Sequence, residues 1–349
     1  MANQTRMLAE LLSREGVHVE LVQTNVPYWP RWVHRLRGVR ALLRLLPYII
    51  CLWRCAGRVD VFHVMANSGW SWHLFVAPAI WTARLRGVPV VINYRGGEAR
   101  AFLTRQISWV RPSLRAARIL AVPSGFLCDV FGFFGVRAEI LPNIVDLQRF
   151  RFRPVSLMAL ADPHVVVARN LEVIYDISTA LQAFALLLRN VPGARLTVAG
   201  DGPELDSLRG QARCLGIDGA VSFCGRIDRD GMADLMRTAD IALNPSRVDN
   251  MPNAILEALA SGVPIVSTRA GGVPYMVEHE VTAVLVDVGD VSGMAAALLR
   301  IVNDRALAAR LVTSGKAKVE QHTWNVVRDR LGSLYRRAAM GSDAKASPV

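Results

Sequence analysis

Short apolar runs alternate with amphipathic helical patterns through the second half of the chain. The runs are four or five residues long and rich in Val, Ile, Leu and Ala, whereas the segments between them repeat apolar residues at spacings of three and four. This alternation predicts a parallel sheet with helices on both faces. The predicted strands are 165–168, 195–199, 221–224, 241–244 and 263–267, and the predicted helices are 177–189, 204–215, 232–238, 252–260, 291–303 and 323–339.

The first half follows the same alternation less regularly and predicts a second α/β domain. It begins with a helical pattern over 7–15, whereas a domain of this type is expected to begin with a strand and a glycine-rich turn. Either that first strand is missing, or the true start lies further upstream. The other predicted strands are 18–23, 60–65, 89–94, 119–123 and 139–142, and the other predicted helices are 31–58 and 72–85.

The length of 349 residues is enough for two domains that each bury a core. A polar segment over 146–154 is the predicted linker. We therefore expect an N-terminal domain over 1–150 and a C-terminal domain over 151–322. A helix over 323–340 could pack back on the N-terminal domain, and 341–349 is expected to be a loose tail.

Composition excludes several classes of protein. Hydrophobic residues make up 52% and charged residues 20% of the chain, as in a folded globular protein. The five cysteines have no C-x-x-C pair and no regular spacing, which argues against a disulfide framework or a zinc site, and we expect no metal. We find no secretory signal or membrane-spanning run, so we expect a cytoplasmic protein, either free or peripheral on the inner face of the cell membrane.

The charge is unevenly distributed. Residues 1–153 carry 21 Arg and 8 acidic residues, a net charge of +13, whereas the remainder carries −1. The segment 31–58 holds seven Arg and no acid, and its apolar residues form one helical stripe that Pro47 should kink or divide. This helix either lies on an anionic membrane or packs on the sheet with its Arg side chains in water. Nucleic acid is not expected as a partner, because the aromatic residues lie within the apolar stripe.

The segment 244–264 carries the clearest chemical pattern. A strand ends at Asn244, a loop carries Asp249, a helix starts at Pro252, and Glu257 follows. The backbone N–H groups of Asn253 and Ala254, at the helix start, have no intrahelical acceptor and predict a diphosphate site. Glu257 lies one turn deeper and could accept hydrogen bonds from a ribose diol, while Asp249 could hold sugar hydroxyls. The alternative is that Asp249 caps the helix and Glu257 is a solvated surface acid.

This segment resembles the family 4 retaining glycosyltransferases of the GT-B fold. In that family two acids are separated by seven residues, the second acid is the Glu of a Leu-Glu-Ala sequence, and a Gly-x-Pro turn follows. Asp249 and Glu257 match the two acids. The first acid is Asp where the family usually has Glu. The resemblance implies two Rossmann-like doubly wound parallel-sheet domains that face a cleft, the N-terminal one lacking its first strand. It extends over segments 141–150, 198–204 and 222–226.

The resemblance also implies a set of residues that bind the donor. Arg169 matches an arginine that binds the diphosphate and would act as a catalytic group together with Asp249 and Glu257. A lysine expected five residues later is replaced by Ile174, so one phosphate contact is lost or comes from elsewhere. The alternative for Arg169 is a surface salt bridge. The remaining donor-side candidates are Gly200, Gly202, Arg226, Ile227, Asn253 and Ala254.

The acceptor side is less clearly patterned. Relatives carry a histidine near the position of Arg95, which cannot act as a base but could clamp an acceptor phosphate. His63 and Glu98 are further candidates, and His63 could equally be a structural residue.

The activity that the resemblance implies is that of a metal-independent hexosyltransferase. It would need no cofactor and would transfer a sugar from a nucleotide-sugar, with retention, to a sugar or lipid-linked acceptor in polysaccharide or glycolipid assembly. Two alternatives stay open. One is an epimerase or phosphorylase of the same fold. The other is an inactive or truncated relative that binds nucleotide-sugar or anionic membrane without turnover.

Overall fold

The computed structural model describes residues 2–24, 39–155 and 162–343, and the side chains of 4–24, 45–155 and 162–340. The chain divides into two compact units. The first unit comprises Met1–Pro142 and Arg328–Val349, and the second comprises Asn143–Val327. The division at Pro142 precedes the predicted one at residue 150 by a few residues.

The first unit contains a parallel sheet of four strands in the order β1-β2-β3-β4. Trp72, Tyr94 and Phe131 are its largest fully buried side chains. A π-helical turn, Trp72–Val76, leads directly into α3. The elements are α1 (Ala2–Arg14), α2 (Val39–Cys55), β1 (Phe62–Ala66), α3 (Ala77–Leu85), β2 (Val90–Tyr94), α4 (Ala99–Ala116), β3 (Ile119–Val122), α5 (Gly125–Phe133) and β4 (Glu139–Ile140).

The strand predicted over 18–23 does not form. These residues are in irregular structure, and no described strand pairs with β1 on the side away from β2. Leu21 is 44% exposed, whereas Val22 is half-buried and packs against the core cluster of the first unit. Without a partner strand, a short extended segment cannot satisfy its backbone groups in a ladder. Within the described residues, the sheet therefore begins with β1.

The predicted helix over 31–58 is described from Val39 onward, and its earlier part lies outside the described residues. α2 continues through Pro47, so the proline does not divide it. Leu52 and Cys55 are buried on one face, whereas Leu46 and Ile50 are exposed. None of the described helices is long and apolar enough to cross a membrane.

The second unit contains six parallel strands in the order β10-β9-β8-β5-β6-β7. The chain builds outward from β5 through β6 and β7, and then on the other side of β5 through β8, β9 and β10. The elements are β5 (His164–Ala168), α6 (Ile177–Asn190), β6 (Arg195–Ala199), α7 (Leu205–Cys214), β7 (Val221–Gly225), α8 (Arg229–Thr238), β8 (Ile241–Asn244), α9 (Asn253–Ser261), β9 (Ile265–Thr268), α10 (Val273–Met276), β10 (Val284–Val286), α11 (Val291–Asn303), α12 (Arg305–Val319) and α13 (Trp324–Asp343), of which α13 passes into the first unit at Arg328.

Alternate residues of β5 face opposite layers of helices. Val165 and Val167 pack in the cluster that contains α6, α7, α11 and α12, whereas Val166 packs in the cluster that contains α8 and α9. Both faces of the sheet are therefore covered, as in a doubly wound fold, and the order of strands reverses between β5 and β8. Ligands in such folds bind beyond the carboxyl ends of the strands at this reversal.

Candidate functional site

The carboxyl ends of β5 and β8 carry the central polar group of the second unit. Arg169 directly follows β5 and Asn244 ends β8, so the two lie on either side of the reversal. The Arg169 Nε donates a hydrogen bond to Asn244 Oδ1 over 2.9 Å. The Ser246 hydroxyl donates to the same oxygen over 3.0 Å, and the Asn244 amide donates to the Ser267 hydroxyl over 2.9 Å. Asn244 therefore fixes the direction of the Arg169 side chain.

Arg169 also forms a close ion pair with Asp249. Both side chains are almost buried, with exposed fractions of 12% and 10%. The Arg169 guanidinium lies over the Tyr175 ring, 5.0 Å from its centroid, and desolvation lowers the pKa of Arg169 to about 10, so the group stays charged at neutral pH. Asp249 does not cap α9, because no side chain caps that helix. The Asp249 Oδ1 atom accepts a hydrogen bond from the backbone N–H of Asn250 instead.

Helix α9 begins one residue later than predicted, with Pro252 in the N-cap position. The side chain of Asn143 holds the preceding turn, since it donates to Met251 O over 3.1 Å and to Asn253 Oδ1 over 2.7 Å. With no side-chain cap, the backbone N–H groups at the start of α9 point out of the helix with its positive dipole end. This is suitable geometry for an anion.

Glu257 is half-buried on α9, one turn beyond that start. Desolvation raises the pKa of its carboxyl to about 7, and the positive charges of Arg169 and Arg229 offset part of this shift. No described side chain donates a hydrogen bond to it, so its oxygens remain available as acceptors. A carboxylate in this environment is unlike the solvated surface acid that was the alternative interpretation.

The glycine turns have a packing role that the sequence did not indicate. A Cβ at Gly200 would collide with the carbonyl of Arg169, and one at Gly202 would collide with the carbonyl of Leu171. These glycines let the loop after β6 lie against the loop that carries Arg169. Arg226 is exposed and Ile227 half-buried, just after β7. Both lie at the carboxyl end of the sheet, as Arg169 does.

The three acceptor-side candidates lie in the first unit, and two of them belong to one hydrogen-bonded chain. The Arg95 Nε donates to Asn93 Oδ1 over 3.0 Å, which leaves the Asn93 amide to donate to His63 Nε2, also over 3.0 Å. The other ring nitrogen of His63 is 2.7 Å from the Tyr335 hydroxyl of α13. Burial, together with the charge of Arg95, lowers the pKa of His63 to about 3, so its ring is neutral. Glu98 is exposed at the start of α4 and is not part of these hydrogen bonds.

The sequence does not predict several of these residues. It indicates Asn244 only as the end of a strand, and no pattern gives a role to Tyr175 or Asn143. Tyr335 lies far along the chain from its partner His63. Only the position of Asn244 at a strand end could have indicated its role. Among the described residues, no three His, Cys, Asp or Glu side chains come together as a group that could hold a metal ion.

Comparisons with known proteins agree on one family. The sequence model described as "Glycosyl transferases group 1" matches residues 162–304. The chain is 29% identical over 300 residues to a glycogen synthase of Mycobacterium tuberculosis, covering 81% of this chain and 70% of that protein. It is 31% identical over 221 residues to a GDP-mannose-dependent alpha-(1-6)-phosphatidylinositol monomannoside mannosyltransferase of the same species, covering 59% of this chain and 56% of that enzyme.

The fold has close counterparts among solved structures. Anabaena HepE, solved in complex with UDP-glucose, superposes with a TM-score of 0.71 at 17% sequence identity, covering 95% of this chain and 89% of that one. At this level of identity the similarity concerns the fold, which is GT-B.

Proposed function

The chain belongs to the group 1 glycosyl transferases, and from this premise we propose that it moves a hexose from a nucleoside-diphosphate donor to a hydroxyl acceptor with retention of configuration. The observation that carries the proposal is the arrangement of Arg169, the start of α9 and Glu257 beyond the carboxyl ends of β5 and β8. The buried guanidinium and the helix start match a diphosphate, and a carboxylate that accepts hydrogen bonds matches a ribose diol. HepE, which shares the fold, binds UDP-glucose.

In the proposed reaction, the bond between the anomeric carbon and the diphosphate breaks as the acceptor oxygen forms a bond to the same face of that carbon. The acceptor's proton passes to an oxygen of the leaving diphosphate, so no protein base is required. Arg169 and the N–H groups of α9 stabilise the charge that develops on the diphosphate. Asp249 orients Arg169 and accepts a hydroxyl of the sugar. The Arg95 side chain binds the acceptor, and the neutral His63 holds Asn93, to which Arg95 donates, in position.

A direct test is calorimetric titration of the full chain with UDP, GDP and ADP, followed by incubation with the matching sugar donors. We expect one nucleotide to bind, and Glu257→Ala to weaken it at least tenfold, because two hydrogen bonds from the ribose are lost. Glu320→Gln changes an exposed acid of the same unit and should leave binding unchanged. Failure of every nucleotide to bind the wild-type chain would reject a donor site.

The anomeric outcome is tested separately, by the proton NMR coupling constant of the new linkage. An α-linked donor should yield an α-linked product. A β-linked product would contradict retention. Released free sugar without acceptor transfer would identify the donor but leave no support for the acceptor role of the first unit.

We propose further that α2 lies on an anionic membrane surface at the cytoplasmic side, where a lipid-linked acceptor would be reached. Leu46, Ile50 and Trp53 are exposed on α2, and Arg54 is exposed beside them. The Arg86 guanidinium lies 4.9 Å from the centroid of the Trp53 ring. Exposed apolar side chains flanked by Arg are the pattern of an interfacial helix, and the net charge of the first half favours an anionic leaflet.

Sedimentation with vesicles tests this surface. We expect the chain to pellet with phosphatidylcholine–phosphatidylglycerol vesicles and not with phosphatidylcholine alone, and to be released by salt. Ile50→Ser combined with Trp53→Ala should abolish pelleting. Trp109→Ala is the matched control, because Trp109 is 80% exposed on α4, a different helix of the same unit. Equal loss in the control variant would refute α2 as the membrane surface.

A further inference from the structure

Arg247 lies in the loop after β8, two residues before Asp249. The donor contacts proposed above give it no role. Its backbone N–H donates to the carbonyl of Ile174 over 2.9 Å. Its Nε donates to Asp176 Oδ2, also over 2.9 Å. The loop after β8 is thereby joined to the short turn Val173–Tyr175 that follows Arg169 along the chain.

Asp176 is a rigid anchor for this arginine. Its side chain is only 5% exposed, and it also accepts a hydrogen bond from the Thr179 hydroxyl over 2.9 Å. Its backbone lies in the left-handed region, with φ 47°, which is costly for a residue other than glycine. The carboxylate is therefore held in place by packing and by the start of α6, independently of Arg247.

The guanidinium itself is open on its other edge. The Arg247 side chain is 55% exposed, and its two terminal nitrogens have no acceptor among the described residues. An exposed arginine on a buried carboxylate is fixed in direction but retains two N–H-bearing nitrogens for a ligand, and such a fork matches a phosphate.

The turn Val173–Tyr175 is in contact with two arginines. The Arg169 guanidinium lies over the Tyr175 ring, and the carbonyl of the neighbouring Ile174 accepts a hydrogen bond from the backbone N–H of Arg247. Both arginines come from the carboxyl ends of adjacent strands, β5 and β8, at the reversal of strand order. Arg169 is almost buried and paired with Asp249, whereas Arg247 reaches solvent, so the two offer one enclosed and one outer positive group.

We propose that Arg247 is a donor-binding residue that contacts one phosphate of the nucleoside diphosphate while Arg169 contacts the other. The assignment rests on the proposed function. It makes the site selective for a diphosphate over a monophosphate, because each arginine would contact a separate phosphate. Asp176 acts as a positioning residue, which holds Arg247 in the direction of the ligand.

The test uses calorimetry on the full chain. It compares the nucleoside diphosphate among UDP, GDP and ADP that binds the wild-type protein with the corresponding monophosphate. Arg247→Ala should weaken the diphosphate about tenfold, the loss expected of a charge-assisted hydrogen bond, and the monophosphate less than twofold. Arg247→Lys should fall between, since it keeps the charge but loses the fork on Asp176. Asp176→Asn should weaken the diphosphate in the same selective way. Arg300→Ala is the matched control, because Arg300 is similarly exposed and paired with Glu280 in the same unit.

The outcomes separate the two claims. An Arg247→Ala protein with wild-type thermal stability and unchanged diphosphate affinity would overturn the assignment and leave the donor site intact. If Arg247→Ala weakened binding of the monophosphate and of the diphosphate equally, the assignment would also be overturned, because it states that Arg247 favours the diphosphate. If none of UDP, GDP and ADP binds the wild-type chain, the proposed function fails and the role of Arg247 fails with it. Pyrophosphate that binds the wild-type chain and loses affinity in Arg247→Ala would support the assignment without the nucleoside.

Discussion

Glu257 illustrates how one side chain combines a stability cost with a binding role. Its carboxyl is desolvated on α9 and its pKa is raised to about 7, although two arginine charges act in the opposite sense. A group that prefers to be neutral in the folded protein is costly once it must ionise. Near neutral pH, Glu257 therefore exchanges between the neutral and the ionised form, and a ligand that donates hydrogen bonds to the carboxylate would favour the ionised form.

The free energy of unfolding should accordingly depend on pH. The folded-state pKa lies above that of an unfolded chain, so the favourable contribution of Glu257 is complete below about pH 4.5 and is lost as the pH rises through about 7. Glu257→Gln should remove this dependence and gain about 1–3 kcal/mol relative to the wild type at pH 8. Urea unfolding at pH 5 and pH 8 measures both effects. A Gln variant with the same pH profile as the wild type would rule out Glu257 as the source.

The pair of Arg169 and Asp249 is the second residue-scale device. Both charges are almost buried and they form an ion pair. Asp249→Ala should therefore lower the free energy of unfolding by about 3–5 kcal/mol, because it leaves a buried guanidinium. The joint change Arg169→Met and Asp249→Leu should cost clearly less than the sum of the single changes. Denaturant titration of the three variants gives the coupling, and simple additivity would show that the pair is not an energetic unit.

At the scale of elements, the end of α9 depends on a glycine for two separate reasons. Gly262 ends the helix in the left-handed conformation, with φ 71°, and a Cβ there would collide with the backbone of Arg153. Gly216 has nearly the same φ, 67°, but open space around it. The two positions share a conformational cost and differ in packing.

Alanine substitution should therefore separate the two contributions. Gly216→Ala should destabilise the chain by about 1–2 kcal/mol, the cost of the left-handed conformation. Gly262→Ala should add a further 1–3 kcal/mol or so from overlap with Arg153. Urea midpoints at constant m-value measure the difference. Equal losses at the two sites would mean that the backbone of residue 153 moves aside at little cost.

The elements also show where hydrophobic pattern is sufficient and where it fails. Strands β5 to β9 were predicted to within about two residues, because they are short apolar runs between clear turns. Strand β10 and helices α4, α5, α10 and α12 were not predicted. α4 contains Pro112, and α5 reads as a glycine- and aromatic-rich run that matches no helical template. Their packing against neighbouring elements, which local sequence does not encode, determines their structure.

At the scale of the whole molecule, the chain is divided in both charge and structure. All of its net positive charge lies in residues 1–153, which contain most of the first unit, since the remainder carries −1. The proposed donor residues all lie in the second unit. Two compact units with separate cores should unfold in two steps rather than one.

Scanning calorimetry should therefore give two transitions, of which a nucleoside diphosphate shifts one. At a ligand concentration of 100 times Kd, the stabilisation is about 2.7 kcal/mol, and the transition of residues 143–327 should rise by about 5–10 °C. Arg169→Ala should remove the shift. A ligand that raised both transitions equally would place its binding energy outside the second unit.

The sequence by itself determined the α/β class, five of the six strands of the second unit and the positions of Arg169, Asp249 and Glu257, because periodicity and strand–turn–helix spacing are local properties. Only the tertiary structure decided what those residues touch. The pairing of Arg169 with Asn244 and Asp249, the direction of Arg247 toward Asp176, and the link between His63 and Tyr335 join residues far apart along the chain. Such contacts are set by strand order and by the packing of loops at the carboxyl edge of a sheet, and no local pattern encodes them.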